Sequence, residues 1–108
     1  MYQIVFFVPK THSEVVKNAL FEAGAGAFNN YEHCSWETEG TGQFRPLEGS
    51  AAFIGEKGKL ERLPELRVEM LCTDEKIDGA IKALLAAHPY EEPAYYAVET
   101  RIITAPDS

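Results

Sequence analysis

The stretch His88-Pro89-Tyr90-Glu91-Glu92-Pro93-Ala94-Tyr95 concentrates chemistry: an imidazole, a phenol and two carboxylates lie in one short connection that two prolines stiffen. Such groups can bind a cation, accept hydrogen bonds or hold a proton, and a rigid turn keeps them in a set relation. A structural role is equally concrete. At a helix end His88 can bond the last carbonyls and meet the negative end of the helix dipole, while the prolines stop the helix and aim the next strand. That mechanism is the preferred account of the segment, and His88, Tyr90, Glu91 and Glu92 stand beside it as the candidate ligand site.

His33 and Cys34 are a second pair of potential ligands. Read as neighbours in one strand, their side chains leave opposite faces and do not share an ion. His33 therefore needs partners from elsewhere, and the candidate set for a divalent metal is His33, His88 and Glu92. Catalytic machinery is hard to find. No Ser, Cys or Thr sits in a nucleophile elbow, and Glu91 and Glu92, as chain neighbours, need not converge. Three histidines leave little material for a two-metal hydrolase. Gly24-Ala25-Gly26 reads as a helix stop, because a dinucleotide site places its glycines between a strand and a helix start. Gly40-Thr41-Gly42 reads as turn chemistry.

Tyr2 to Val8 is rich in aromatic and β-branched residues and apolar on both faces, as in a central strand. Thr11 and Glu14 are spaced as a capping box, opening a helix whose stripe is Val15, Val16, Ala19, Leu20 and Ala23. A second strand is expected at 31–38, turning at 39–42 and returning over 43–45 as a hairpin; 47–59 reads as a loop or a short extra strand. From Glu65 to Cys72 the alternation of Leu66, Val68, Met70 and Cys72 with polar residues marks a half-buried strand. Thr73 or Asp74 is placed to cap a second helix, with Ile77, Ala80, Ile81, Leu84, Leu85 and His88 on its stripe and Pro89 ending it. A last strand is expected over 94–103. This order is an α+β, ferredoxin-like split βαβ plan with an added hairpin, as one domain over 1–108. Two helices cover one sheet face. Val5, Phe7, Tyr95 or Tyr96, and Trp36 remain on the other, which predicts self-association.

Composition narrows the partners. Seventeen acids against ten bases give a formal charge of −7, which repels a phosphate backbone, so no nucleic-acid partner is expected; a local basic spot at Lys57, Lys59 and Arg62 is the one place for a small anion. The longest apolar run, Ile4 to Pro9, is far short of the ~20 residues of a membrane helix, so no membrane partner is expected either. Two well-separated cysteines, with no charged-then-apolar leader before the first strand, point to reduced thiols and a cytoplasmic protein.

The run GAFNNYEHCSWETEGTGQFRPLEGSAAFIG from Gly26 to Gly55, followed by HPYEEPAYY, resembles the inserted middle domain of the Nif-three-like family, and the likeness covers nearly the whole chain. Phe53 and Tyr96 depart from that family's pattern. The resemblance implies a fold similar to the divalent-tolerance protein CutA and the PII signalling proteins, which are trimers with sites at subunit clefts. It also implies that the flanking domains which hold a two-metal centre in full-length relatives lie outside this sequence. The function expected is thus an oligomeric, preferably trimeric, regulatory or ligand-binding module whose inter-subunit cleft takes a small molecule or a metal ion near the His88 turn. A CutA-like divalent-metal-binding protein is the alternative, and a small metal-dependent hydrolase the next.

Overall fold

In a computed structural model, which describes residues 1–103, the chain runs β1 (Tyr2–Pro9), a 3₁₀ turn (Lys10–His12), α1 (Ser13–Glu22), β2 (Trp36–Phe44), β3 (Glu61–Cys72), α2 (Ile77–Ala87) and β4 (Tyr95–Glu99). The strands form one antiparallel sheet in the order β2-β3-β1-β4. β1 and β2 run parallel but are parted by β3, the mark of the split βαβ plan. The α+β ferredoxin-like expectation is met.

The alternating pattern read in β3 is the pattern that is buried. Leu66, Val68, Met70 and Cys72 face Ile4, Phe6 and Val8 of β1, and α1 and α2 close over them with Val16, Leu20, Ala80 and Leu84. Phe6 and Ile4 are fully buried, and such burial is worth roughly 2–3 kcal/mol per side chain. Val15, expected on this stripe, is 61% exposed.

The helix ends are set by backbone groups. Gly24 (φ +103°) lets the chain reverse; its N–H donates to the Phe21 carbonyl and that of Ala25 to the Leu20 carbonyl, the paired bonds of a left-handed helix stop. The expected side-chain caps do not form. His12 occupies the position before α1 and Lys76 that before α2, neither with a side-chain cap bond. Thr11 Oγ1 meets the His12 ring instead, and the Asp74 carboxylate pairs with the N-terminal ammonium. β4 ends at Glu99, short of the expected 103.

The largest revision concerns β2. Gly40-Thr41-Gly42 is not a turn; it lies mid-strand, and β2 pairs with β3 from Trp36↔Glu69 to Phe44↔Glu61. The hairpin is therefore the long β2–β3 pair, with its tip in the 45–60 loop. Residue 31–35 precedes the strand, and 47–59 adds none. β1 stops at Pro9↔Glu65, so β2 and β3 continue past it as a two-stranded arm. Pro64 sits in that arm, where it has a partner on one side alone and its missing N–H costs no ladder bond.

Candidate functional site

Directly paired residues in neighbouring strands share a face. The registers therefore put Gln3, Val5 and Phe7 of β1 with Arg67, Glu69 and Leu71 of β3, Trp36 and Thr38 of β2, and Tyr96 and Val98 of β4 on the sheet face away from the helices. Of the two tyrosines, Tyr96 is the one on this face. Trp36 is 68% exposed, and Tyr96 and Val98 are also open.

The His88 turn closes the end of this sheet. His88 is buried, and its Nε2 lies 2.7 Å from the Phe7 carbonyl while its Nδ1 accepts the Tyr90 N–H at 3.1 Å. A carbonyl can only accept and an amide N–H can only donate, so the proton sits on Nε2 and the ring is neutral. The Phe7 N–H donates to the Ala94 carbonyl. The imidazole thus completes the edge of β1 where β4 has not yet begun. Burial pushes the His88 pKa below its ordinary value, against the opposing pulls of the Phe7 carbonyl and the Glu65 carboxylate. The expectation that His88 bonds the helix carbonyls is corrected: its partner is a strand.

From this anchor Tyr90 reaches across to β3. Its hydroxyl donates to Glu65 Oε2 at 2.9 Å, and its ring meets Phe44 edge-on at 5.7 Å. Burial and the bond to Glu65 raise the phenol pKa. Gly42 makes room for this pair, since a Cβ there would stand 1.9 Å from Glu65 Oε1. Glu91 Oε1 accepts the Ala51 N–H at 2.9 Å, tying the 45–60 loop to the turn. Phe53 of that loop packs edge-on against His12 at 5.3 Å.

Between the loop, the arm and the turn lies a cleft of about 560 Å³, in the size range of small-molecule sites. Tyr90, Glu91 and Glu92 line it, with Phe7 and Glu65 from the sheet and Phe44, Ser50 and Phe53 from the arm and loop. His88 stands behind the wall as its support. Phe7 belongs both to the cleft and to the open sheet face, so the two are continuous.

His33 is elsewhere. It lies in a bend at φ +57°, not in a strand, and stacks on Phe21 at 4.7 Å beside the end of α1. Cys34 and Gly26 anchor this bend, and Gly26 bonds the Leu71 carbonyl. Leu71 pairs with Gln3, four residues along β1 from the Phe7 that holds His88, a span of about 13 Å. The set His33, His88 and Glu92 is thus not brought together, and both ring nitrogens of His88 are already engaged. Among the described residues no three His, Cys, Asp or Glu side chains converge as a metal site. The basic spot is also partly spent, since Lys59 pairs with Glu56 at 2.7 Å and Arg62 with Gln43 at 2.7 Å.

Glu65 and Ser50 were not singled out in the sequence, and Phe44 and Phe53 entered only through the family resemblance, not as site residues. The one local signal was Gly42, a glycine inside an alternating run, which marks close approach as well as a turn.

The fold is that of a CutA/PII-like domain. CutA from Xylella fastidiosa superposes with a TM-score of 0.67 over 95% of this chain and 86% of its own, at 21% identity, a likeness of fold. No family model matches the sequence. A Bacillus cereus protein related to NIF3 is 46% identical and superposes with a TM-score of 0.75 over 89% of this chain and 24% of that one. A GTP cyclohydrolase 1 type 2 homolog from Halalkalibacterium halodurans is 45% identical over 95 residues, 88% of this chain and 26% of the relative. The chain is a version of the CutA/PII-like domain of the Nif-three-like family. It spans about a quarter of the length of the curated relatives it matches.

Proposed function

We propose that the chain acts as a homo-oligomeric regulatory or ligand-binding module, trimeric and cytoplasmic, whose cleft beside Tyr90 and Glu92 receives a small molecule. The observation that carries this reading is the continuity of the cleft, through Phe7, with an open sheet face bearing Trp36, Tyr96 and Val98. Helices cover the other face, and copies of the same chain are the natural cover for this one. A ligand in the cleft then sits at the edge of the contact between copies, where binding and assembly can influence each other. Two free cysteines fit a reducing compartment. Sedimentation at micromolar concentration tests the assembly: a mass three times that of one chain is expected, and a species of one chain's mass overturns it.

The CutA likeness favours a second reading, in which the cleft takes a divalent cation. The fold neighbour from Archaeoglobus fulgidus is a periplasmic divalent cation tolerance protein, CutA. With His88 engaged on both nitrogens and no three such side chains converging among the described residues, such an ion would rest on single carboxylates of the cleft, Glu92 first, completed by water, oxygen ligands that suit hard cations. Calorimetry with zinc, copper and calcium after chelator treatment decides it; no saturable heat removes the reading. The hydrolase alternative rests on the name borne by relatives about four times as long, and a phosphoester screen with added metal tests it.

A further inference from the structure

We infer that the cleft selects an organic cation, an ammonium or amidinium group carried on an apolar or aromatic body, over anionic ligands. This rests on the reading of the cleft as a ligand site. Four carboxylates, Glu48, Glu65, Glu91 and Glu92, border it against one cation, Arg45. Two of the four are committed: Glu65 to the Tyr90 hydroxyl and Glu91 to the Ala51 N–H. Glu48 and Glu92 have no bond or ion pair among the described residues, so their carboxylates are the acceptors left for a ligand's N–H groups, and Glu92 is the one that stands in the turn beside Tyr90.

The walls fit the rest of such a molecule. Phe7, Phe44 and Phe53 supply π-faces and edges, which attract cations and stack on flat apolar bodies. Ser50 lines the cleft and its Oγ is buried without a partner, so a rotation of this side chain toward the cleft would offer a ligand N–H a second acceptor. An anion entering the same space meets uncompensated like charge. The volume of about 560 Å³ holds an aryl ring with a short aminoalkyl chain.

The test is a titration of the full chain, labelled with ¹⁵N, with phenethylammonium, phenylacetate, inorganic phosphate and zinc in parallel. Phenethylammonium is expected to shift the amides of Phe44, Tyr90 and Glu92, with phenylacetate and phosphate leaving them in place. In Glu92→Gln, an exposed substitution, affinity for the ammonium is expected to fall roughly tenfold, and in Phe53→Ala about threefold. Equal or tighter binding of phenylacetate or phosphate overturns the charge selection while leaving the cleft as a ligand site. Zinc shifting the same amides with the ammonium silent assigns the cleft to a metal and overturns it too. No shift from any probe at millimolar concentration also overturns it, whereas the assembly reading fails only on the sedimentation result.

Discussion

The Nε2 of His88 lies 2.7 Å from the carbonyl oxygen of Phe7, so a side chain from the end of α2 finishes the edge of β1. The bond joins two residues 81 positions apart and sets the wall of the cleft against its floor. Phe7 is that floor, and Tyr90, bonded to the other imidazole nitrogen, is that wall.

Removing the ring is therefore costly. In His88→Ala the Phe7 carbonyl and the Tyr90 N–H both lose their partner, and each buried orphan costs about 1–3 kcal/mol. Both bonds are only part-buried, so water recovers some of this, and urea unfolding is expected to show a loss of at least about 2 kcal/mol. A loss within about 0.5 kcal/mol, the size of a surface change, contradicts the anchor.

Stability is expected to fall as the solution is acidified through about pH 6.5, the ordinary histidine value. Burial holds the folded-state His88 pKa below that value. Between the two values the unfolded chain binds more protons than the folded one, so stability rises with pH and its full amount is present above about 6.5. In His88→Gln this dependence is absent. Thermal melts of both proteins from pH 8 to pH 5 read it: the gap between them narrows on acidification, and a gap constant across the range refutes the assignment of a neutral ring.

Gly42→Ala is expected to act on a tyrosine. The added Cβ stands 1.9 Å from Glu65 Oε1, so the carboxylate swings away and the Tyr90 hydroxyl loses its acceptor. The Tyr90 phenol, raised by burial and by this bond, then titrates lower than in the parent chain, and stability drops by about 1 kcal/mol. A ¹³C titration of the tyrosine ring carbons follows it directly; an unchanged Tyr90 midpoint argues that Gly42 serves the strand alone.

Glu91→Ala is expected to release the loop with little change in global stability. Its carboxylate holds the Ala51 N–H at 2.9 Å, and both residues are exposed. Hydrogen exchange reads the Ala51 amide, which is expected to lose protection by roughly tenfold while Phe6 and Val68 amides stay protected. Retained protection at Ala51 means that the Phe53–His12 contact carries the loop by itself.

Charges on the open face are expected to dissolve the assembly. Trp36→Asp and Tyr96→Asp place a carboxylate on the surface proposed as the contact between copies, at a cost of several kcal/mol per contact if it stays unpaired. Far-UV circular dichroism checks that each variant folds, and sedimentation is expected to give a single-chain mass. A variant that folds and assembles as before places the contact on another surface.

Local physics made much of this fold legible. The period-two burial of β3, the helical stripes through Leu20 and Leu84, the stop at Gly24 and the break at Pro89 are each decided within a few residues, by side-chain direction, positive φ or a missing N–H. That Tyr90, Glu91 and Glu92 stand together in a stiff turn was legible. What surrounds them was not. Gly40 and Gly42 satisfy a turn and a strand equally well in isolation, and it is the pairing with β3, 25 residues from Gly40 to Glu65, that selects the strand. The same long-range pairing puts Glu65 under Tyr90, carries Phe44 and Phe53 to the rim, and holds His33 at the far end of β1. Sequence alone determined which residues seek burial and where the chain can bend; tertiary structure decided which carboxylates meet, because cross-strand register and a carbonyl seeking a donor act between residues that no local spacing relates.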